Sequence, residues 1–523
     1  MANIFQTTDA IINNLTTSGS FIASGSVNMI SLASSSKSNI LAFDSASGQL
    51  YYTSTSSVAT QPGGTNTQIQ FNYSGAFLGG SSLKLNSNLS GLENGTLVTA
   101  SGISSHAEGI KSSATNIGSH AEGGYYTVGF GTTYFPGGLA SGTSSHAEGV
   151  GTEASGLGSH AEGWATIASG SYSHAEGVNT LAENEYTHAE GSNTIAKGVS
   201  SHAEGYSTVT EADYSHAEGY GAIVAPGAEG AHVEGLSTIA SGSYSHAEGS
   251  TTEASGLGSH AEGAGTIASG SYSHAEGYRT EASGLGSHAE GRIAISSGSY
   301  SHAEGATTIA LGDYSHTEGE GTTTLGYASH AEGATTKTSE SYSHAEGEGT
   351  TTLGYASHAE GSTTKTSESY SHAEGEGTTT LGYASHAEGS TTTTYGSSSH
   401  AEGSGTEASG LGSHAEGYKT KAYGLASHAG GANTIASGSY QTVIGSFNTH
   451  NETTSPFIVG LGIADNSRKD AFKVTHSSSI VVATGSGLPT WAGTEGEIKP
   501  YVSASKYFLA MFIGGTWRSS SFI

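Results

Sequence analysis

Between Ser105 and Gly431 small and polar residues alternate with a regularity that an ordinary globular core does not need. One stretch serves as the type: Ser159-His160-Ala161-Glu162-Gly163-Trp164-Ala165-Thr166-Ile167-Ala168-Ser169-Gly170-Ser171-Tyr172. Ser159, Ala161 and Gly163 alternate with His160 and Glu162, a period of two that predicts a strand. Thr166 and Ala168 flank the variable Ile167 in the same way and predict a second, shorter strand. Gly163 and Gly170 are assigned the corners between them. Two strands and two turns in 14 residues make one coil of a solenoid.

The coil recurs. The pentapeptide Ser-His-Ala-Glu-Gly returns, with small changes, 23 times. From His146 to His216, and again from His232 to His428, every fourteenth residue is His. Between His120 and His146 there are 12 extra residues, around Gly124 to Gly138, and between His216 and His232 two extra, near Pro226-Gly227. A fixed short period means one stacked unit per repeat.

Fourteen residues enclose little space, so inward side chains must be small. Ser159, Ala161, Thr166 and Ala168 are assigned inward; His160, Glu162 and Ile167 point outward. The equivalents of Ile167 include Leu181, Glu253, Lys337 and Thr393, a drift that a solvated face tolerates. The pentapeptide His never drifts, and its Glu is lost only at Gly430. This contrast predicts that the first sheet faces a copy of itself rather than plain water. The expected fold is therefore all-β: a 14-residue-repeat parallel β-roll solenoid, homotrimeric, with small β regions at both ends.

Those end regions have their own patterns. Residues 1–100 are Ser/Thr/Gly-rich with short apolar clusters at Ala10-Ile11-Ile12 and Met29-Ile30-Ser31-Leu32. A further apolar cluster lies at Asn39–Phe43, strand-like runs follow at Gly48–Tyr52 and Thr67–Phe71, and turns are read at Pro62-Gly63-Gly64 and Gly79-Gly80. This segment reads as an N-terminal β-rich attachment region, 101–445 as the repeat, and 446–523 as a C-terminal β tip or cap. In the last, Pro456–Gly460, Ala471–Val474, Ser479–Ala483, Glu497–Val502 and Tyr507–Ile513 are strand-like, and Gly514-Gly515 joins Ile513 to Thr516-Trp517-Arg518 as a hairpin.

Composition narrows the function classes. Gly is 80 of 523 residues and Pro only 6, so the chain is neither collagen-like nor Pro-rich. Net charge is −29, which argues against nucleic acid as a partner, because phosphate contact needs basic patches. With no cysteine there is no disulfide framework and no Cys-based zinc site or nucleophile. Met1-Ala2-Asn3-Ile4-Phe5 begins no secretory signal, and no apolar run is long enough for a spanning helix, so membrane insertion is not expected.

The candidate chemistry is the outward pair, as at His160/Glu162, His174/Glu176, His246/Glu248, His260/Glu262 and His330/Glu332. Each pair is about 7 Å apart along its strand. Three chains would bring three His and three Glu into each layer, hydrogen-bonded across the chains to fix register. Three imidazoles on an axis can also ligate zinc, nickel or iron, and a solvent-exposed stripe could bind a ligand. The interchain reading is adopted, with no metal and no cofactor. Catalysis is not expected, since a catalyst rarely needs its site in every coil. Tyr often ends the coil, as at Tyr172, Tyr244, Tyr272, Tyr300, Tyr342 and Tyr370, where it either packs on the next turn or offers a carbohydrate-binding ladder. Aromatic residues of the insertion, Tyr125, Tyr126, Phe130 and Tyr134, together with Trp517, are candidate receptor contacts.

Ser-x-Ala-x-Gly followed by x-x-Ser/Thr-x-Ala-x-Gly at period 14 resembles the head domain of YadA-type trimeric autotransporter adhesins. The resemblance covers about residues 101–445 and implies a left-handed, trimeric parallel β-roll with one sheet toward the three-fold axis. Gln441-Thr442-Val443-Ile444-Gly445 fits as a closing coil. The Ser-His-Ala-Glu-Gly version is similar to repeats in bacteriophage tail-fibre and other virion-appendage proteins. Asn66–Asn72 with Ser74–Phe77 resembles a segment of such fibres. Adhesin heads carry Val and Ile where this chain has His and Glu, and neither an autotransporter signal peptide nor a C-terminal membrane anchor is evident. The resemblance therefore implies a virion fibre that acts as spacer and in host attachment. Other virion proteins would be held through the N-terminal region, and a host-surface receptor or glycan would be met outside the cell. The alternatives are a bacterial cell-surface adhesin and a purely structural filament.

Overall fold

The computed structural model describes residues 39–44, 49–54, 68–73, 76–85, 91–127, 133–449, 451–477, 479–482, 485–486, 497–503 and 506–521. Two compact units divide the chain, Met1–Gly219 and Tyr220–Ile523. Each contains a stack of parallel coils in which every coil lays a five-residue and a two-residue strand on its neighbours. In the first unit His160–Trp164 pairs in register with His146–Val150 and His174–Val178. Ile167–Ala168 pairs likewise with Glu153–Ala154 and Leu181–Ala182. In the second unit His246–Ser250 pairs with His232–Leu236 and His260–Ala264. Apart from a three-residue 3-10 turn at Asp465–Ser467, the regular elements among the described residues are strands.

The core is as thin as the coil length requires. Ala161, Thr166 and Ala168 are fully buried and Ser159 is 1% exposed, while Ile167 stands outside. Ser159 donates its hydroxyl to the Gly156 carbonyl at 2.9 Å, closing the turn before it. At some coils where Thr replaces Ala on the second strand it reaches across the core to the Ser of its own coil, as from Thr366 to Ser357 at 3.0 Å, whereas Thr352 and Thr380 make no such bond. Such a core buries little apolar surface per coil, so backbone ladders carry the stack. Even the turns join in: Ala165 N–H donates to the Val150 carbonyl at 2.8 Å and Tyr172 N–H to the Leu157 carbonyl at 2.7 Å.

Gly170 opens a corner as its spacing predicts, with Ser173 N–H donating to its carbonyl at 3.3 Å, but Gly163 does not mark the other. Gly163 lies within the strand His160–Trp164, at φ 114°. The left-handed turning residues are Ala165 (φ 55°) and Tyr172 (φ 58°), with Asn179 and Tyr186 repeating them one coil on. Gly163 is required for a different reason: a Cβ there would lie 2.1 Å from the Gly177 carbonyl oxygen of the next coil. Gly163 marks the close approach between coils, whereas the left-handed turn positions take glycine in some coils, as at Gly151 and Gly158, and Ala, Tyr, Asn or Ser in others.

Insertions leave the stack intact. Around Tyr125 the extra residues form an antiparallel hairpin, Tyr125–Thr127 with Thr133–Phe135, pairing Tyr126 with Tyr134. Around it Ser113 still pairs with Leu139, and His120 with His146. Phe130 lies outside the described residues, as do the clusters at Ala10–Ile12 and Met29–Leu32 and the turn at Pro62–Gly64. The strands Gln49–Ser54 and Gln68–Tyr73 stand where the pattern placed them, the apolar cluster at Asn39–Phe43 forms the strand Asn39–Asp44, and Gly79-Gly80, read as a turn, lies within the strand Ala76–Leu85.

Parallel coil register reaches back to Leu92–Thr96, paired with His106–Ile110, and forward to Phe457–Leu461, paired with Thr442–Ser446. The C-terminal end of the stack is closed by amide side chains. Asn448 takes the place of the usual core Thr, donating to the Ile435 carbonyl at 2.9 Å and accepting from its N–H at 2.7 Å. Gln441 replaces the usual Ser and donates to the Glu452 and Ser455 carbonyls at 2.7 and 2.8 Å. Asn448 mimics the two-residue strand that would come next and satisfies an edge otherwise left open, while Gln441 ties the segment that follows to the stack. Beyond them Asp470–Val474 and Ile480–Val482 turn antiparallel. A four-stranded sheet then ends in the Lys506–Ile513 and Thr516–Ser521 hairpin. Among the described residues no helix is long and apolar enough to cross a membrane.

Candidate functional site

The outward residues of the five-residue strands form the most regular chemical surface of both units. Parallel register places each His above the last, and the rings stack. Centroids are 4.8 Å apart from His160 to His174 and from His246 to His260, and 4.7 Å from His330 to His344. Each ring leans along its strand toward the Glu two residues on. Nε2 of His160 lies 4.0 Å from Glu162 Oε2, His174 3.9 Å from Glu176, and His330 3.9 Å from Glu332. Glu248 and Glu262 stand in register one above the other beside His246 and His260. The side chains are about one-third (His) and just under one-half (Glu) exposed.

A carboxylate can touch two imidazoles at once. Glu122 lies 3.8 Å from His120 Nε2 through one oxygen and 3.9 Å from His146 Nε2 through the other. At Gly430, where the coil's own Glu is missing, His428 turns back to Glu416 of the preceding coil at 3.3 Å. Elsewhere the spacing exceeds a hydrogen bond. Nε2 of His146, His160, His174, His188 and His202 is buried and has no hydrogen-bond partner among the described residues.

Burial, and then the adjacent imidazoles, hold His160 and His246 below the usual histidine range. His260 and His330 are lowered in the same way, and His202 is pushed down to about 4. These rings are neutral near pH 7 and cannot balance the carboxylates beside them.

The carboxylates are thus stacked like upon like. Glu148, Glu162, Glu176 and Glu190 follow one another at successive strands. The second sheet avoids this arrangement. Its outward column runs Glu253, Ile267, Glu281, Ile295 in one stretch and Thr393, Glu407, Lys421, Ile435 in another, with no like charges on neighbouring strands. Lys421 there meets Glu407 at 3.1 Å.

Tyrosines form a second ladder along one turn. Tyr172 stacks on Tyr186 at 5.4 Å. In the second unit Tyr300, Tyr314, Tyr327, Tyr342, Tyr355, Tyr370 and Tyr383 follow one another at 5.3–5.6 Å, mostly edge to face and all exposed. Tyr327, Tyr355 and Tyr383 sit one residue earlier in the coil than the expected ladder position, and they fill its gaps. The repeated Leu-Gly-Tyr-Ala of Leu325–Ala328 and Leu353–Ala356 was the signal that sequence reading passed over. Trp517 lies on the terminal hairpin, its ring edge-on to Phe512 at 5.3 Å. Tyr125, Tyr126 and Tyr134 lie on the inserted hairpin.

No protein-family model matches the chain, and no curated protein matches it either.

Proposed function

We propose that this chain is a homotrimeric structural fibre of a virion, acting as spacer and in host attachment. One observation carries the reading: in each unit a solenoid with a closed, small-residue core keeps one outward face, His and Glu, constant while its other outward positions drift. A face held constant along a stack of coils fits a repeated contact with other copies of the same chain. The C-terminal sheet and the inserted hairpin are the segments left to meet a receptor or glycan.

Light scattering on the purified chain is expected to give three chains per particle. A soluble, folded monomer overturns the trimer. Deletion of residues 446–523 is expected to abolish attachment to host cells or to impair trimer folding. Survival of both would leave the C-terminal segment without the role assigned to it.

A further inference from the structure

The His–Glu face presents a charge problem that its own residues leave unsolved. Carboxylates stack coil upon coil, and among the described residues no lysine or arginine is paired with Glu148, Glu162, Glu176 or Glu190. Copies of the same face would add more carboxylates and no cations. At the second sheet's outward position the same sequence keeps like charges off neighbouring coils, so the tolerance on the first sheet calls for a positive charge from outside the chain.

The geometry says which kind. His120, Glu122 and His146 each offer one ligand atom, and the three lie within 4.8 Å of one another. The same holds for His146, Glu148, His160 and for His188, Glu190, His202. A tetrahedral ion with bonds of ~2.0–2.2 Å needs neighbouring ligand atoms roughly 3.3 Å apart. Half-exposed His and Glu side chains reach that spacing by small rotations of their terminal torsions. Two imidazole nitrogens and one carboxylate suit zinc, nickel or cobalt; calcium and magnesium prefer all-oxygen shells.

We propose that the His–Glu face binds divalent transition-metal ions, each held by Nε2 of two successive histidines and the carboxylate between them. The remaining positions of each ion are open to water or to another chain. The inference stands on single-chain geometry and does not depend on the trimer.

The test is equilibrium dialysis of the full chain against zinc chloride, with metal counted per chain, so that the answer is independent of how many chains assemble. Several zinc ions per chain are expected, retained against an equal concentration of calcium. Changing His146, His160, His174, His188 and His202 together to Gln should lower the count in proportion to the five removed among 23 ladder histidines. If that variant fails to fold by circular dichroism, Glu148, Glu162, Glu176, Glu190 and Glu204 are changed together to Gln instead, with the same expected fall. No retained zinc, displacement by equimolar calcium, or an unchanged count in the folded variant overturns the proposal.

Discussion

The two sheets of a coil share one core and one set of ladder bonds, yet they obey different rules outside. On the two-residue strands the outward position takes Ile, Leu, Val, Thr, Lys or Glu, and charged neighbours are opposite or absent, as at Glu407 and Lys421. On the five-residue strands from His106 to His428 it takes His in every coil and Glu in all but the one at Gly430, and Glu is set upon Glu. Two carboxylates about one strand spacing apart repel by roughly 1 kcal/mol in water, and by several times that where water is partly excluded. A stack that avoids this on one side and repeats it on the other is stabilised on that side by something beyond its own residues. The lesson is that constancy alone marks a face as used, whereas constancy against an electrostatic penalty indicates what must come to it.

The inner half of the comparison breaks hardest. Both sheets need small residues inside, but the longer strand also needs Gly163, whose Cβ would meet the Gly177 oxygen at 2.1 Å at a φ of 114°. Gly163→Ala should cost on the order of 3 kcal/mol, from backbone strain and displaced ladder bonds. Because each coil touches only its neighbours, the loss should stay local: amide exchange should quicken at Ala161, Gly163 and Ala175 and not at Ala254. Ile167→Ala, on the outward side of the shorter strand, should change melting by about 0.5 kcal/mol or less. Equal effects of the two would mean that close packing does not limit the longer strand.

Next in size is a direct transplant of the first sheet's charge pattern onto the second. Ile267 lies between Glu253 and Glu281. Ile267→Glu makes three carboxylates in a column without histidines beside them. It should destabilise by about 2 kcal/mol at low salt, one unit for each new pair, and by much less in molar salt. Ile267→Gln is the control and should be close to neutral. Zinc should rescue neither. If the Glu variant melts like the control at low salt, stacked carboxylates carry no penalty here, and the case for an external cation on the first sheet fails with it.

Much of this was legible in the repeat. Period two in Ser159–Gly163 and in Thr166–Ala168 fixed which side chains enter the core, because a 14-residue coil admits nothing larger. The C-terminal strands also followed their apolar runs, from Phe457–Leu461 to Thr516–Ser521. Two features were misread or missed. Gly163 was assigned a corner, whereas it lies within its strand and marks contact between coils, and Ala165 makes the left-handed turn after it. The amide cap escaped notice because Gln441 and Asn448 look like ordinary drift until register shows them replacing Ser427 and Thr434 of the preceding coil. Like-charge stacking was invisible for the same reason: adjacency across 14 residues becomes a contact only once the coils are stacked.

The smallest expected effect sharpens the comparison from the other side. Lys421 and Glu407 occupy the outward position of neighbouring two-residue strands, 3.1 Å apart, with Lys421 held above the usual lysine range by its hydrogen bonds to Tyr423 and Glu407. The Lys421 side chain is 41% exposed, so the pair is screened and its net contribution is about 0.2–1 kcal/mol. A raised lysine pKa contributes stability that is fully present below the unfolded value near 10.5 and is lost as pH climbs through the higher folded value. Lys421→Met should therefore lower the melting temperature slightly at pH 7, and the gap from wild type should close in molar salt and narrow as pH rises above 10.5 through the higher folded value. Glu407→Gln in the Lys421→Met background should then change nothing further. A larger loss, or one that persists in high salt, would show that the second sheet depends on charge pairing as strongly as the first sheet is argued to depend on an external cation, and the contrast between the two faces would be one of degree.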